Sequence, residues 1–200
     1  ALTKDGRRIL APTDADGRTE LNEVQSPAQV AADYLQTVLS AKDTVFPKVE
    51  RILAYRTEGG TVAMEDPAPA ARPTVVFGIR PCEASAFRAL DAVFNWDTRD
   101  AFFNARMEQL AVIGMTCTKA DEACFCTSVG GGPASTAGSD ILLTPVGDGY
   151  LAEVLTEKGK AIQALAPELF HPGDGVDKEA VAAKVPLAFD QPALTRKLPG

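Results

Sequence analysis

Apolar residues change their period along this chain, and each change marks an element. Unbroken apolar runs stand at Thr74-Val75-Val76-Phe77-Gly78-Ile79 and at Leu110-Ala111-Val112-Ile113-Gly114-Met115. Runs this short predict strands buried on both faces of a parallel sheet. Between them, from about Glu83, the residues Ala86, Phe87, Leu90, Val93 and Phe94 recur at helical spacing. Asp97 or Thr98 can cap a second helix running through Gln109. Strand, helices, strand reads as a βαβ crossover, parallel and right-handed. Further on, Ile141-Leu142-Leu143-Thr144-Pro145-Val146 and Tyr150-Leu151-Ala152-Glu153-Val154-Leu155 flank Gly147-Asp148-Gly149. That pattern predicts a hairpin whose Asp-Gly pair supplies the positive φ angles of the turn.

The flanking segments carry weaker periods. Residues 1–25 are polar, with turn signals at Lys4-Asp5-Gly6 and Asp16-Gly17 and room for one or two short strands around Arg8-Ile9-Leu10-Ala11. Ser26 as cap, Pro27 at the first position, and Val30, Tyr34, Leu35, Val38 and Leu39 at helical spacing predict an amphipathic helix to about Lys42. The stretch Val49 to Arg56 mixes periods and reads as strand at its end, with Glu58-Gly59-Gly60 as a turn and Thr61-Val62-Ala63-Met64 as the partner strand. Three prolines in residues 66–73 mark a connector. A helix is expected from Glu157 to about Leu169, and a shorter one over 177–184. The expected class is α/β: a mixed sheet with a central βαβ crossover flanked by helices, plus a β-hairpin. One domain would span residues 1–185, with an internal boundary near 66–73 and a linker-like tail over 186–200.

Composition narrows the function. The chain has 200 residues, enough to bury a core without disulfide struts, and 46% of them are hydrophobic. No apolar run approaches the ~18 residues that span a bilayer, and the first twenty residues lack the apolar block of a signal peptide. A cytoplasmic protein without membrane insertion is the expectation. With 27 acidic against 20 basic residues the net charge is -7, which argues against a nucleic-acid surface. The only histidine, His171, sits beside Pro172 and reads as a surface loop residue. No Ser-His-Asp or Cys-His arrangement is available for hydrolysis, so the chain is not expected to be catalytic alone.

The four cysteines are the candidate chemistry. Cys82 follows the first buried strand and Cys117 the second, and ligands usually bind beyond the carboxyl ends of such strands. Cys124 and Cys126 flank Phe125; if extended, both thiols point to one side and Phe125 anchors the loop on the other. Four converging thiolates suit an iron-sulfur cluster or a structural zinc ion. The spacing C-x34-C-x6-C-x-C matches no common ferredoxin or zinc-ribbon pattern. Spacing alone therefore leaves three readings open: metal or cluster ligation, small apolar packing residues at strand ends, or a redox pair among Cys117, Cys124 and Cys126.

Two neighbours sharpen this picture. Gly130-Gly131-Gly132 before Pro133 could wrap a cluster, present backbone N–H groups to a phosphate or flavin, or simply form a flexible loop. The fingerprints of dinucleotide or nucleotide-phosphate binding are missing. Arg80, between a buried strand and Cys82, could offset an anionic cluster or grip a substrate; the alternative is a salt bridge to Glu83 or Asp91.

The segments GIRPCEASAFRALDAVF, LAVIGMTC and CFCTSVGGGP, with GSDILLTPVGDGYLAEVLTEKG, resemble the N-terminal domain of the sulfhydrogenase beta subunit family, to which the corresponding iron-sulfur subunit of anaerobic sulfite reductase belongs. The resemblance covers roughly residues 28–170. It implies an iron-sulfur electron-transfer subunit of a cytoplasmic oxidoreductase complex, of hydrogenase or sulfite-reductase type. The implied partners are flavin-containing and catalytic subunits, together with a C-terminal dicluster ferredoxin-like module of the same polypeptide. The sequence reaches Leu198-Pro199-Gly200 where that module would be expected to begin. In this context Cys82, Cys117, Cys124 and Cys126 would ligate a 4Fe-4S cluster, with Gly130, Gly131, Gly132 and Arg80 beside it. Zinc, or a cofactor-free docking domain with buried packing thiols, is the alternative.

Overall fold

A computed structural model describes residues 2–3, 5–31, 33–65, 71–173 and 177–186. Among these residues eight strands, β1 (Arg8–Ala15), β2 (Arg18–Glu23), β3 (Ala54–Glu58), β4 (Thr61–Glu65), β5 (Thr74–Ile79), β6 (Leu110–Met115), β7 (Ile141–Val146) and β8 (Gly149–Val154), form two sheets. The larger has six strands in the order β2-β1-β5-β6-β7-β8. Its four central strands are parallel, and β2 and β8 close the edges as antiparallel hairpin partners. The α/β mixed sheet and its parallel β5–β6 crossover are as the apolar runs predict.

Alternation along the central strands divides the core between the two faces. Leu10, Val76 and Val112 join Ala84, Phe87 and Phe103 of helices α1 (Pro81–Phe94) and α2 (Ala101–Gln109) on one side. Val75, Ala111, Ile113 and Ile141 pack with Ile162 of helix α3 (Glu157–Gln163) on the other. A short helix α4 (Lys178–Ala182) follows. Among the described residues no helix is long and apolar enough to cross a membrane.

Several local expectations change. The helix expected from Ser26 to Lys42 reduces to a 3-10 turn, Pro27–Gln29, closed by a capping box, and Val30 leaves it in extended backbone. The chain instead lies along the sheet: Ala31 N donates to the Pro12 carbonyl at 2.7 Å and Val38 N to the Thr19 carbonyl at 2.9 Å. Tyr34 is buried while Val38 and Leu39 are exposed, so the helical spacing served no single face. Helix α1 begins at Pro81, earlier than Glu83, and its Val93 is 62% exposed. Asp100, rather than Asp97 or Thr98, caps α2 by accepting from Phe103 N at 2.7 Å. The helix expected to reach Leu169 ends at Gln163, with a 3-10 turn at Pro167–Leu169 beyond it.

The turns follow their chemistry. Asp16 and Gly17, at φ 49° and 73°, make the β1–β2 turn in the geometry that matches strand twist. In the β7–β8 turn the positive φ falls on Gly147 and not on Asp148-Gly149. The second hairpin, β3–β4, forms as expected but lies apart from the main sheet. The expected connector at 66–73 and tail from 186 fall largely outside the described residues.

Candidate functional site

The carboxyl ends of β5 and β6 open into one cleft of about 600 Å³, lined by Cys82, Cys117, Cys124 and Cys126. All four are free thiols. Their routes to the cleft differ. Cys82 sits in the first turn of α1, whose start is set by Pro81 at the first helical position. Cys117 follows buried Thr116, which is tied to β7 through Thr116 N to the Leu143 carbonyl (2.9 Å) and through the Thr116–Thr144 hydroxyl pair (2.8 Å).

Cys124 and Cys126 are not on an extended segment, which corrects that expectation. Cys126 opens a 3-10 turn, Cys126–Val129, capped by Gly130 at φ 78°. Gly131 N donates to the Cys126 carbonyl at 2.9 Å, and a Cβ on Gly131 would approach that oxygen to 3.2 Å. Phe125 is 56% exposed and lines the cleft, so it does not anchor the loop in apolar packing. The seat is further along: Gly138, at φ 81°, lies so close to α1 that a Cβ there would stand 2.0 Å from the Ala84 carbonyl oxygen.

Gly130, Gly131, Gly132 and Arg80 also line the cleft. Arg80 is 6% exposed and makes neither of the expected salt bridges. Its Nε donates to the Leu35 carbonyl at 2.9 Å, its guanidinium also donates to the carbonyls of Tyr34 and Thr116, and it lies 4.3 Å from the centre of the Tyr34 ring. Glu83 is committed elsewhere, accepting from Ser40 Oγ at 2.7 Å and Ala41 N at 2.9 Å. This use of the Tyr34 and Leu35 carbonyls is one reason the 26–42 segment is not helical, since those oxygens face the guanidinium. Arg88 and Lys119 line the cleft too, and no Asp or Glu does among the described residues. The sequence reading missed both: Arg88 lies three residues beyond the first helical turn, and Lys119 two beyond Cys117, with no pattern to single them out.

Burial dominates three of the thiols. It pushes the Cys117 thiol up to about 12, against the opposing pull of Arg80, and raises Cys82 and Cys124 as well. Cys117 also feels Cys82, Cys126 and Cys124, so the four groups share one electrostatic environment. The raised Cys82, Cys117 and Cys124 thiols stay protonated at neutral pH, and a metal that binds them must displace those protons.

The candidate metals place different demands on their ligands. Among the described residues no three His, Cys, Asp or Glu side chains gather so that they could hold one metal ion. Tetrahedral zinc needs four sulfurs at ~2.3 Å from one centre. A cluster binds each thiolate at a different iron and so spaces its ligands more widely. Four thiols lining one cleft, with no Asp or Glu in that lining among the described residues, have the donor chemistry of the more widely spaced ligand set. None of the cysteines is fully buried and none belongs to either core cluster, which disfavours pure packing roles. His171 is exposed and does not line the cleft.

The fold and site together define an α/β domain that gathers thiols from a helix N-terminus and a long connection at the carboxyl edge of a mixed sheet. The chain is similar to Sulfhydrogenase 2 subunit beta of Pyrococcus furiosus, 28% identical over 156 residues that cover 78% of this chain and 45% of that protein. This similarity supports the sulfhydrogenase beta-like family resemblance carried by the cysteine and glycine segments. The chain thus spans a little under half the length of that relative. No family model matches the chain, and no solved structure matches it.

Proposed function

We propose that this chain is the thiol-bearing domain of an electron-transfer subunit in a multi-subunit, hydrogenase-type redox complex. The observation that carries the reading is the convergence of all four cysteines on one cleft at the edge of the parallel strands. Similarity to a sulfhydrogenase beta subunit supports the redox context. Cys82, Cys117, Cys124 and Cys126 would hold a 4Fe-4S cluster, which when bound supplies one-electron transfer.

The chain's own residues do the rest. The tight turn at Cys126–Val129 and Gly130 brings two thiols back over the cleft, and the glycines leave no side chains to fill it. Arg80 and Arg88 favour anionic sulfur, and Phe125 and Val129 add apolar surface to the lining. The flavin and catalytic subunits of such a complex, and a ferredoxin-like module, are the proposed partners, in a cytoplasmic setting.

Iron, acid-labile sulfide and zinc content, measured with a visible spectrum on protein purified without oxygen, tests the reading. About four irons and four sulfides per chain and a broad thiolate–iron band support it. Zinc alone would make the site structural. A Cys124→Ser and Cys126→Ser pair that kept full iron and sulfide would sink the assignment of ligands.

A further inference from the structure

Resting on the reading that an iron-sulfur cluster occupies the cleft, we infer that Arg80 is a fixed buried cation that makes the bound group easier to reduce. Among the described residues every direct partner of its guanidinium is neutral: the carbonyls of Tyr34, Leu35 and Thr116, and the ring of Tyr34. No carboxylate pairs with it among the described residues. The nearby acids have other direct partners: Glu83 is held by Ser40 and Ala41, and exposed Asp33 pairs with Lys119 at 2.6 Å, feeling Arg80 only as a more distant charge. A buried charge ordinarily finds an opposite charge. Here the wall of the cleft is where that opposite charge belongs, because Arg80 itself lines the cleft, two residues before Cys82, and binds the carbonyl of the residue before Cys117.

The consequence is electrostatic. Reduction brings in one electron from an external donor such as dithionite; no bond forms or breaks, and the bound group becomes one unit more negative. A cation held at the cleft wall stabilises that extra charge more than the oxidised state, and net charge around a cluster is one of the factors that set its potential. Arg80 is also shielded from salt by its burial, whereas Arg88 is exposed and Lys119 is shared with Asp33. Charges at the mouth are screened over about 8 Å at physiological ionic strength, and buried ones much less. Arg80 is a positioning residue that acts by charge, and the three carbonyls keep that charge in place.

The test is an anaerobic redox titration of cluster-loaded wild-type, Arg80→Gln, Arg80→Lys and Arg88→Gln proteins, read by spectrum at low and at 1 M salt. Iron and sulfide content is measured first. The expected result is that Arg80→Gln loads but shifts negative, with a roughly tenfold lower reduced-to-oxidised ratio at the wild-type midpoint, equal to about 59 mV for one electron. Arg80→Lys should stay nearer wild type, and only the Arg88→Gln shift should vanish in salt. Equal shifts in Arg80→Gln and Arg80→Lys, or none in either, would overturn the inference. If Arg80→Gln does not fold, the wild-type midpoint decides: constancy across salt agrees with a buried charge, and a large drift overturns it. Wild-type protein that binds no iron or sulfide would overturn the cluster reading itself, a failure visible before any variant is compared.

Discussion

Two of the crossovers join parallel strands that are consecutive in the chain, and they are built in opposite ways. The β5–β6 connection is helical and fastens itself through buried Ala84, Phe87 and Phe103. The β6–β7 connection, residues 116–140, contains a single 3-10 turn and buries mostly small or polar side chains, among them Ser128, Ala134 and Ser139. It is held by a few point contacts: Cys117 N to the Pro133 carbonyl (2.9 Å), Gly138 against Ala84, and Asp140 bridging Val112 N (2.7 Å) and the Thr156 hydroxyl. Long connections without regular structure are usually functional. Apolar packing commits side chains inward, so the crossover that packs well cannot offer many ligands. The one held by point contacts leaves its three thiols outside the apolar core.

That contrast can be broken or sharpened by substitution. Phe87→Ala should cost most, about 3–5 kcal/mol from the cavity beneath the sheet, read as a loss of urea stability. Gly138→Ala should follow at about 2–4 kcal/mol, since both its φ and the Ala84 carbonyl oppose a methyl group. It should also abolish iron binding. If Gly138→Ala were silent in both, the seat of the loop would lie elsewhere. Asp140→Ala should cost about 1–3 kcal/mol, because it leaves Val112 N and the Thr156 hydroxyl without their acceptor.

A smaller effect concerns pH in the metal-free protein. The folded Cys117 thiol is raised from 9.0 to about 12, facing Arg80, Cys82, Cys126 and Cys124. A raised folded value means that the stability contribution is complete below 9.0 and is lost as pH rises through about 12. Roughly 1 kcal/mol should be gone by pH 10, and Cys117→Ala should flatten that slope in denaturation curves. Smallest of all is Phe125→Ser: with the ring 56% exposed, stability should change by no more than ~0.5 kcal/mol. A larger loss would restore the ring as an apolar anchor.

Legibility in the sequence divides along the same line. Val75-Val76 and Val112-Ile113 announce buried strands because both of their faces are covered, and the helices between them follow from ordinary apolar spacing. The 26–42 segment misleads. Its apolar residues recur with helical spacing, yet Tyr34 and Leu35 yield their carbonyls to Arg80, and no local pattern records a partner 45 residues away. Phe125 misleads for a related reason: alternation applies to extended chain, and Cys126 turns instead.

By itself the sequence determined the strand-helix-strand core, the turn at Asp16-Gly17, and the candidacy of four cysteines near strand ends, because each depends on covalent neighbours and burial periodicity. The tertiary structure alone decided that the four thiols line one cleft, that cations and no acids border it among the described residues, and that no described carboxylate pairs with Arg80 there. Those properties depend on which loops meet across the sheet edge, and such meetings are set by packing between residues far apart in the chain.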